Sequence, residues 1–475
     1  MSVQEEAGLG SEALLETAAA IVERASGYPG VHEAEARVGL TVNSFSRFAD
    51  VGPTQSAERA RLDVSLRLRM ADGSKLTEAG SHGQSLDVED VDALIERAAS
   101  LAKVSPALVD PVAMGGPVKV DMQKLTGSAD PATLAHDPAR KAKAIGDAIA
   151  RCEAAGVNPA GLYDTTGAAQ ALFNSAGRAV RSESSRASFA LTATVPDAAG
   201  LGGAGWGECI RSTAGELEAG LIDAAVGRAL LKAAPGVERG AVKPGEFTVV
   251  LEPAAVSSLL LFASYYGFGA KEVEEQSSFL CGRIGEKLFP ESLVIRDRWN
   301  HPMYRTSGFD GEGTPKKSLA LLENGALTGP VTDRRFAHKL LGDADASTGH
   351  GAPQPSGHGP SAGALAIDAG DQTLEELIGG VEHGLLVSQF HYTNVIDPRE
   401  MMLTGMTRNG LFLIEDGRLA GPLKNLRFTM SLVQALQNVT GIGSELDISG
   451  ALFDGEVVAP PVRIESFRFT SATDF

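Results

Sequence analysis

The chain predicts an α+β fold in two parts, and three observations carry that reading. A helix, two alternating strands and a second helix follow one another near the start. Residues 235–245, PGVERGAVKPG, break a helical run with Pro and Gly before a new strand begins. Beyond that break the chain is richer in strands and tight turns. The expected domains are residues 1–237 and 238–475, in keeping with a length of 475 residues that exceeds one ordinary domain.

In the first part, Leu14, Leu15, Ala18, Ile21, Val22 and Ala25 recur at helical spacing, with Ser11 and Glu12 at the expected start. Ala34, Ala36, Val38, Leu40 and Val42 alternate with Glu33, Glu35, Arg37 and Thr41, the pattern of a half-buried strand. Leu62, Val64, Leu66, Leu68 and Met70 repeat it against Arg61, Asp63, Arg67 and Arg69, and Asp72-Gly73 turns the chain back. Residues 87–102 form a helix with Leu94, Ile95, Ala98 and Leu101 on one face. Residues 105–131, with Pro106, Pro111, Pro117 and Pro131, read as a connection. A helix over 138–155, a strand pair over 168–174 and 178–194, and a helix over 211–234 complete this part.

The second part opens with a strand and a long apolar helix, FTVVLEPAAVSSLLLFASYY. Residues 347–363, STGHGAPQPSGHGPSAG, read as a flexible loop, or as one ordered by a substrate or partner. Two segments echo each other, LLENGALTGPV at 321–331 and LIEDGRLAGPL at 413–423. Asn324-Gly325 and Asp416-Gly417 suit two-residue type I′ turns, so two similar hairpins are expected.

Composition narrows the function. A net charge of −18 argues against nucleic acid as a partner, because phosphate binding needs a basic face. Cys152, Cys209 and Cys281 are odd in number and contain no CxxC, so a disulfide framework or thiolate zinc site is not expected. The acidic N-terminus lacks a signal-peptide pattern, and no run approaches the roughly 18 apolar residues of a membrane span. A cytoplasmic protein is expected.

Candidate chemistry is sparse. His32-Glu33 has no second histidine one helical turn on and lies in a strand pattern. Gly200, Gly202 and Gly205 match GxGxxG, but residues 196–199 separate them from the strand and 206–208 from the helix, so they read as a flexible loop. His350 and His358 lie in the Gly/Pro/Ser loop, and His383 and His391 are separated by a strand pattern; only the tertiary fold brings them to a metal. Asp310 and Glu312 stand two apart in a Gly-rich turn, able to polarise an amine or take a hard cation, or simply to form a solvated turn.

Several pieces of the second part then occur in a telling order: GEFTVVLEPAAVSSLL, SSFLCGRIGEKL, FDGEGTP, LLENGALTGPVTDRRFA, the STG at 347–349, TLEELIGGVEHGLLV and GLFLIEDGRLAGPLKNLRF. Together they resemble the TldD/PmbA family over most of residues 235–439. The resemblance implies an N-terminal α/β domain and a C-terminal domain with a large curved, mostly antiparallel β-sheet. It also implies two kinds of chain. TldD-type members carry a His-Glu-x-x-x-His helix and a later cysteine as zinc ligands; PmbA/TldE-type members lack them and pair with a TldD-type chain.

In this sequence the ligand window falls near residues 261–266, where Leu261, Phe262 and Tyr266 stand in place of the ligands. Residues 249–299 hold no histidine, and no cysteine follows Cys281. The resemblance therefore implies a non-catalytic PmbA/TldE-type subunit with no cofactor of its own, whose helix packs on the sheet. Zinc would sit in a TldD-like partner of a heterodimer, with self-association the alternative when the chain is alone. The substrates implied are unfolded or flexible peptides, including peptide-derived natural-product precursors. Asp310 and Glu312, in the family's acidic turn, and Arg408 and Asn409, before the second hairpin, are the candidate peptide or partner contacts. Two other readings stay open: a regulatory protein, since family members have been described as gyrase modulators, and an independent hydrolase using Asp310, Glu312 or loop histidines.

Overall fold

The structure, a computed structural model, describes residues 10–473 apart from 51, 136, 197–202, 305 and 451–454. Its first sheet comes entirely from the first half of the chain. The strands are β1 (Val31–Ala49), β2 (Gly52–Asp72), β3 (Lys75–Gly83), β4 (Asn158–Asn174), β5 (Ala179–Val195) and β6 (Gly203–Arg211), antiparallel in the order β3-β2-β1-β4-β5-β6.

Helices cover one face of this sheet. Val38, Leu40, Val64 and Leu66 pack against α1 (Ser11–Ser26) and α2 (Val88–Val104), as the alternation predicts. Phe189, Leu191 and Tyr163 pack against α3 (Pro138–Ala154) and α4 (Ile222–Ala233). The charged face is enclosed as well, which a half-buried pattern does not announce. Glu35, Arg67 and Arg69 are all buried. Arg69 reaches Glu33 at 2.8 Å and Glu78 at 2.7 Å, and Arg67 reaches Glu78 at 2.8 Å. Met114 donates its N–H to Glu33, so the proline-rich connection is laid over this charged layer. Such a layer adds little net stability but is costly to break, at roughly 3–5 kcal/mol per removed partner.

Two expectations fail near residue 205. The glycine segment is not a loop there: Gly203–Arg211 is a strand, while Gly200 and Gly202 lie outside the described residues. The glycines let a helix approach. A Cβ on Gly205 would meet the Ala229 carbonyl of α4 at 2.0 Å, and one on Gly207 the Ala225 carbonyl at 1.9 Å. The helix expected over 211–234 starts instead at Ala214, behind a capping box of Thr213 and Glu216. It is then kinked at Gly220, whose φ is 110°.

Among the described residues the second half supplies thirteen further strands: β7 (Glu246–Leu251), β8 (Ile295–Asp297), β9 (Leu319–Glu323), β10 (Ala326–Leu327), β11 (Leu365–Ile367), β12 (His383–Asp397), β13 (Met402–Glu415), β14 (Arg418–Pro422), β15 (Leu426–Ser431), β16 (Val439–Ile442), β17 (Asp447–Gly450), β18 (Glu456–Ala459) and β19 (Val462–Ala472). Seven form a curled, mostly antiparallel sheet in the order β12-β7-β19-β15-β13-β14, with β16 on β19. The sheet curls far enough for β13 to pair with both β12 and β15. The pairing of β12 with β7 is parallel. The smaller sheet runs β10-β9-β8-β11-β18-β17.

Both expected hairpins form. Asn324 and Gly325 sit at φ 52° and 76°, and Asp416 and Gly417 at 49° and 73°, as a type I′ turn demands. The apolar helix is α5 (Pro253–Tyr266), whose residues from Ala255 to Ser264 are buried. It shares a core with β7, β12 and the Phe390–Phe428–Phe467 aromatic cluster. No helix among the described residues is long and apolar enough to cross a membrane.

Candidate functional site

The acidic turn lies inside the protein, beneath the charged face of the first sheet. Asp310 and Glu312 are 5% and 8% exposed, so this is no solvated turn. Asp310 Oδ1 accepts the N–H groups of Glu312 and Thr314 at 2.9 and 2.8 Å, and its Oδ2 accepts the Gly351 N–H at 2.7 Å. Burial raises its pKa although these three donors oppose the rise. Glu312 accepts the Arg334 N–H at 3.0 Å. Burial, and then the neighbouring Asp310, push its carboxyl up to about 8.

The first half of the chain reaches into this turn. Arg37 on β1 donates to the Gly311 carbonyl at 2.7 Å, and Arg178 donates to Thr314 Oγ1 at 2.8 Å. The segment 347–363, expected to be flexible or ordered by a ligand, has no regular element but is anchored by its own chain. Ser347 and Thr348 bond to Thr332, and Gly311 donates to the Gly351 carbonyl at 2.7 Å.

That anchoring buries His350, contrary to the flexible loop expected around it. Its Nδ1 lies 2.9 Å from Thr348 Oγ1, and its Nε2 lies 3.3 Å from Asp297 Oδ1 without hydrogen-bond geometry. Asp297 Oδ2 accepts the Ala364 N–H. Burial pushes the Asp297 carboxyl up, but the facing imidazole and that N–H more than offset it and hold the carboxyl low. Asp297, His350, Asp310, Arg37 and Lys316 all line a cavity of about 420 Å³. Asp297, Lys316 and Arg37 are site residues that sequence reading missed. They come from three separate strands or turns, and only the tertiary fold joins them.

A second cavity of about 320 Å³ adjoins the first and is bounded by Leu261 and Tyr265 of α5, Tyr304 and Val457. Leu261 and Phe262 are each 4% exposed, and Phe262 belongs to the main core. The expectation that this window packs the helix onto the sheet therefore holds for Phe262. It fails for Tyr266, which is 43% exposed because it is the last residue of the helix. The window does not fit zinc: Leu and Phe offer no lone pair, and residues 249–299 hold no histidine to join Tyr266. Among the described residues no three His, Cys, Asp or Glu side chains converge as a metal site.

Arg408 and Asn409 lie elsewhere, at a bulge where β13 pairs with β12. Arg408 donates to His391 at 3.0 Å, and Asn409, at φ 57°, donates to Gln389. Neither lines the two cavities. His383 and His391 lie on β12, apart from His350, and His32 lies on β1.

Comparison with known proteins agrees with this architecture. Residues 244–471 match the PmbA/TldA metallopeptidase C-terminal domain. A metalloprotease from Methanothermobacter thermautotrophicus is 26% identical over 369 residues, covering 74% of this chain and 76% of its own. A metalloprotease TldD homologue from Buchnera aphidicola is 25% identical over 42% of this chain and 41% of its own. Among solved structures, TldE from Thermococcus kodakarensis superposes with a TM-score of 0.81 at 20% identity, covering 96% of this chain and 100% of that one. A candidate modulator of a DNA gyrase from Thermotoga maritima gives 0.79 at 18% identity, covering 96% and 99%. Residues 244–471 thus form a C-terminal domain of the PmbA/TldA metallopeptidase type, and the chain as a whole shares the fold of TldE.

Proposed function

We propose that the chain is the non-catalytic, TldE-like subunit of a cytoplasmic heterodimeric zinc peptidase that acts on unfolded or flexible peptides. The observation that carries this is the α5 window. By the family resemblance Leu261 and Phe262 fall in the window where a TldD-type chain would carry ligands, and Phe262 is sealed into the core. The zinc and its general base would come from a TldD-like partner. This chain would supply scaffold and binding surface. The fold shared with TldE from Thermococcus kodakarensis supports the subunit type.

The test is to purify the chain alone and together with a His-Glu-x-x-x-His chain from the same organism, then measure bound zinc and cleavage of an unstructured peptide. The expected result is no stoichiometric zinc and no cleavage by the chain alone, with cleavage by the pair. Zinc and hydrolysis by the lone chain would overturn the proposal. A cleavage rate of the partner that this chain leaves unchanged would favour a regulatory role instead.

A further inference from the structure

The two cavities are joined by backbone: Ser361 and Gly363 line both. Their linings differ in character. The larger carries Arg37 and Lys316, and the smaller carries Leu261, Tyr265 and Leu365. The larger therefore sets two cations beside Asp297 and Asp310, and the smaller sets apolar side chains beside Glu456.

Among the described residues neither Arg37 nor Lys316 has a carboxylate within ion-pair distance, and the Lys316 ammonium makes no hydrogen bond. Asp310 is filled by the N–H groups of Glu312, Thr314 and Gly351, whereas Asp297 spends Oδ2 on the Ala364 N–H and turns Oδ1 toward His350 without a hydrogen bond. Arg37 commits one nitrogen, Nη2, to the carbonyls of Asp310 and Gly311. His350, whose side chain is 2% exposed, brings an Nε2 without a hydrogen-bond partner to the same wall. Burial lowers the Lys316 pKa, Asp297 and Asp310 offset this in part, and the Arg37 charge lowers it again. Asp297 and Asp310 act on the two cations from a distance without pairing with them, which leaves both cations able to pair with an incoming carboxylate.

We propose that the joined cavity binds a carboxylate carried on an apolar group, specifically the C-terminal end of a short peptide. The α-carboxylate would lie against Lys316 and Arg37, and the terminal apolar side chain against Leu261 and Tyr265. The choice of a peptide over another apolar acid rests on the proposed function; the carboxylate site itself does not. The position where a TldD-type chain would hold metal thus becomes one wall of a terminus-binding groove.

The test uses the full-length chain alone and calorimetric titration, so it does not depend on a partner or on peptidase activity. The probes are the tetrapeptide Ala-Ala-Ala-Phe as free acid, the same peptide as C-terminal amide, Ala-Ala-Ala-Ala as free acid, and octanoate. The free acid is expected to bind at least tenfold more tightly than the amide, and Lys316→Gln should remove that difference. Tyr265→Ala should abolish the preference for Phe over Ala at the last position. The Lys316 side chain makes no bond that folding needs, and matched thermal melts of the variants confirm that. Equal affinity of acid and amide, an unaltered Lys316→Gln variant, or no binding by any probe would overturn the carboxylate site. Octanoate binding as tightly as the peptide acid would overturn the assignment to a peptide.

Discussion

The Asp310 carboxylate accepts the Gly351 N–H at 2.7 Å, tying the acidic turn to a glycine 41 residues further along. The other Asp310 oxygen cannot take over that bond, because two backbone donors already share it. Replacement by Asn would turn one carboxylate oxygen into an NH₂ that faces a donor. Asp310→Asn is expected to destabilise the protein by roughly 1–3 kcal/mol. Urea denaturation measures it, and protection of the Gly351 amide against hydrogen exchange should fall with it.

Glu312 should behave in the opposite way. Its carboxyl, ordinarily near 4.5, is raised to about 8, so the folded chain holds a proton that the unfolded chain releases. The favourable contribution of this group is full below pH 4.5 and is lost as pH rises toward about 8. Glu312→Gln keeps an acceptor for the Arg334 N–H and removes the titration. The variant should gain melting temperature relative to wild type as pH goes from about 5 to 8. A difference independent of pH would rule out this assignment.

The α5 window yields a contrast between neighbours on one helix. Phe262 fills the main core, whereas Tyr266 is 43% exposed. Phe262→Ala should cost roughly 3–5 kcal/mol by transfer and cavity formation. Tyr266→Ala should stay within about 1 kcal/mol, as surface changes do. Chemical denaturation of the two variants side by side checks both values.

Much of this was legible in sequence because the signals were local. The alternations along β1 and β2, the helical spacing of α1 and α2, and the Asn-Gly and Asp-Gly turns each report short-range geometry. The glycines of β6 misled because their purpose is tertiary: α4 lies on them, and neither partner announces the other. The charged face of β1 and β2 looked solvent-facing for the same reason, since its cover comes from the proline-rich connection and the second half. At the site, Asp310 and Glu312 were visible as an acidic turn. Their burial, and the arrival of Asp297, Lys316 and His350 at one cavity, follow from contacts that no spacing rule encodes.

The pairing of β7 with β19 bears on how the chain is made. Val249 and Val250 bond on one side to β12 and on the other to Ile464 and Arg463, far along the chain. During synthesis the first sheet has all its strands once Arg211 has emerged, and it can close while the ribosome is still translating. The curled sheet has to wait. Its inner strand β7 emerges early and stays half-paired until β19 is released. In that interval a hydrophobic edge and the apolar helix beside it stand uncovered. Nascent-chain aggregation and truncation before β19 are therefore the specific hazards of this architecture.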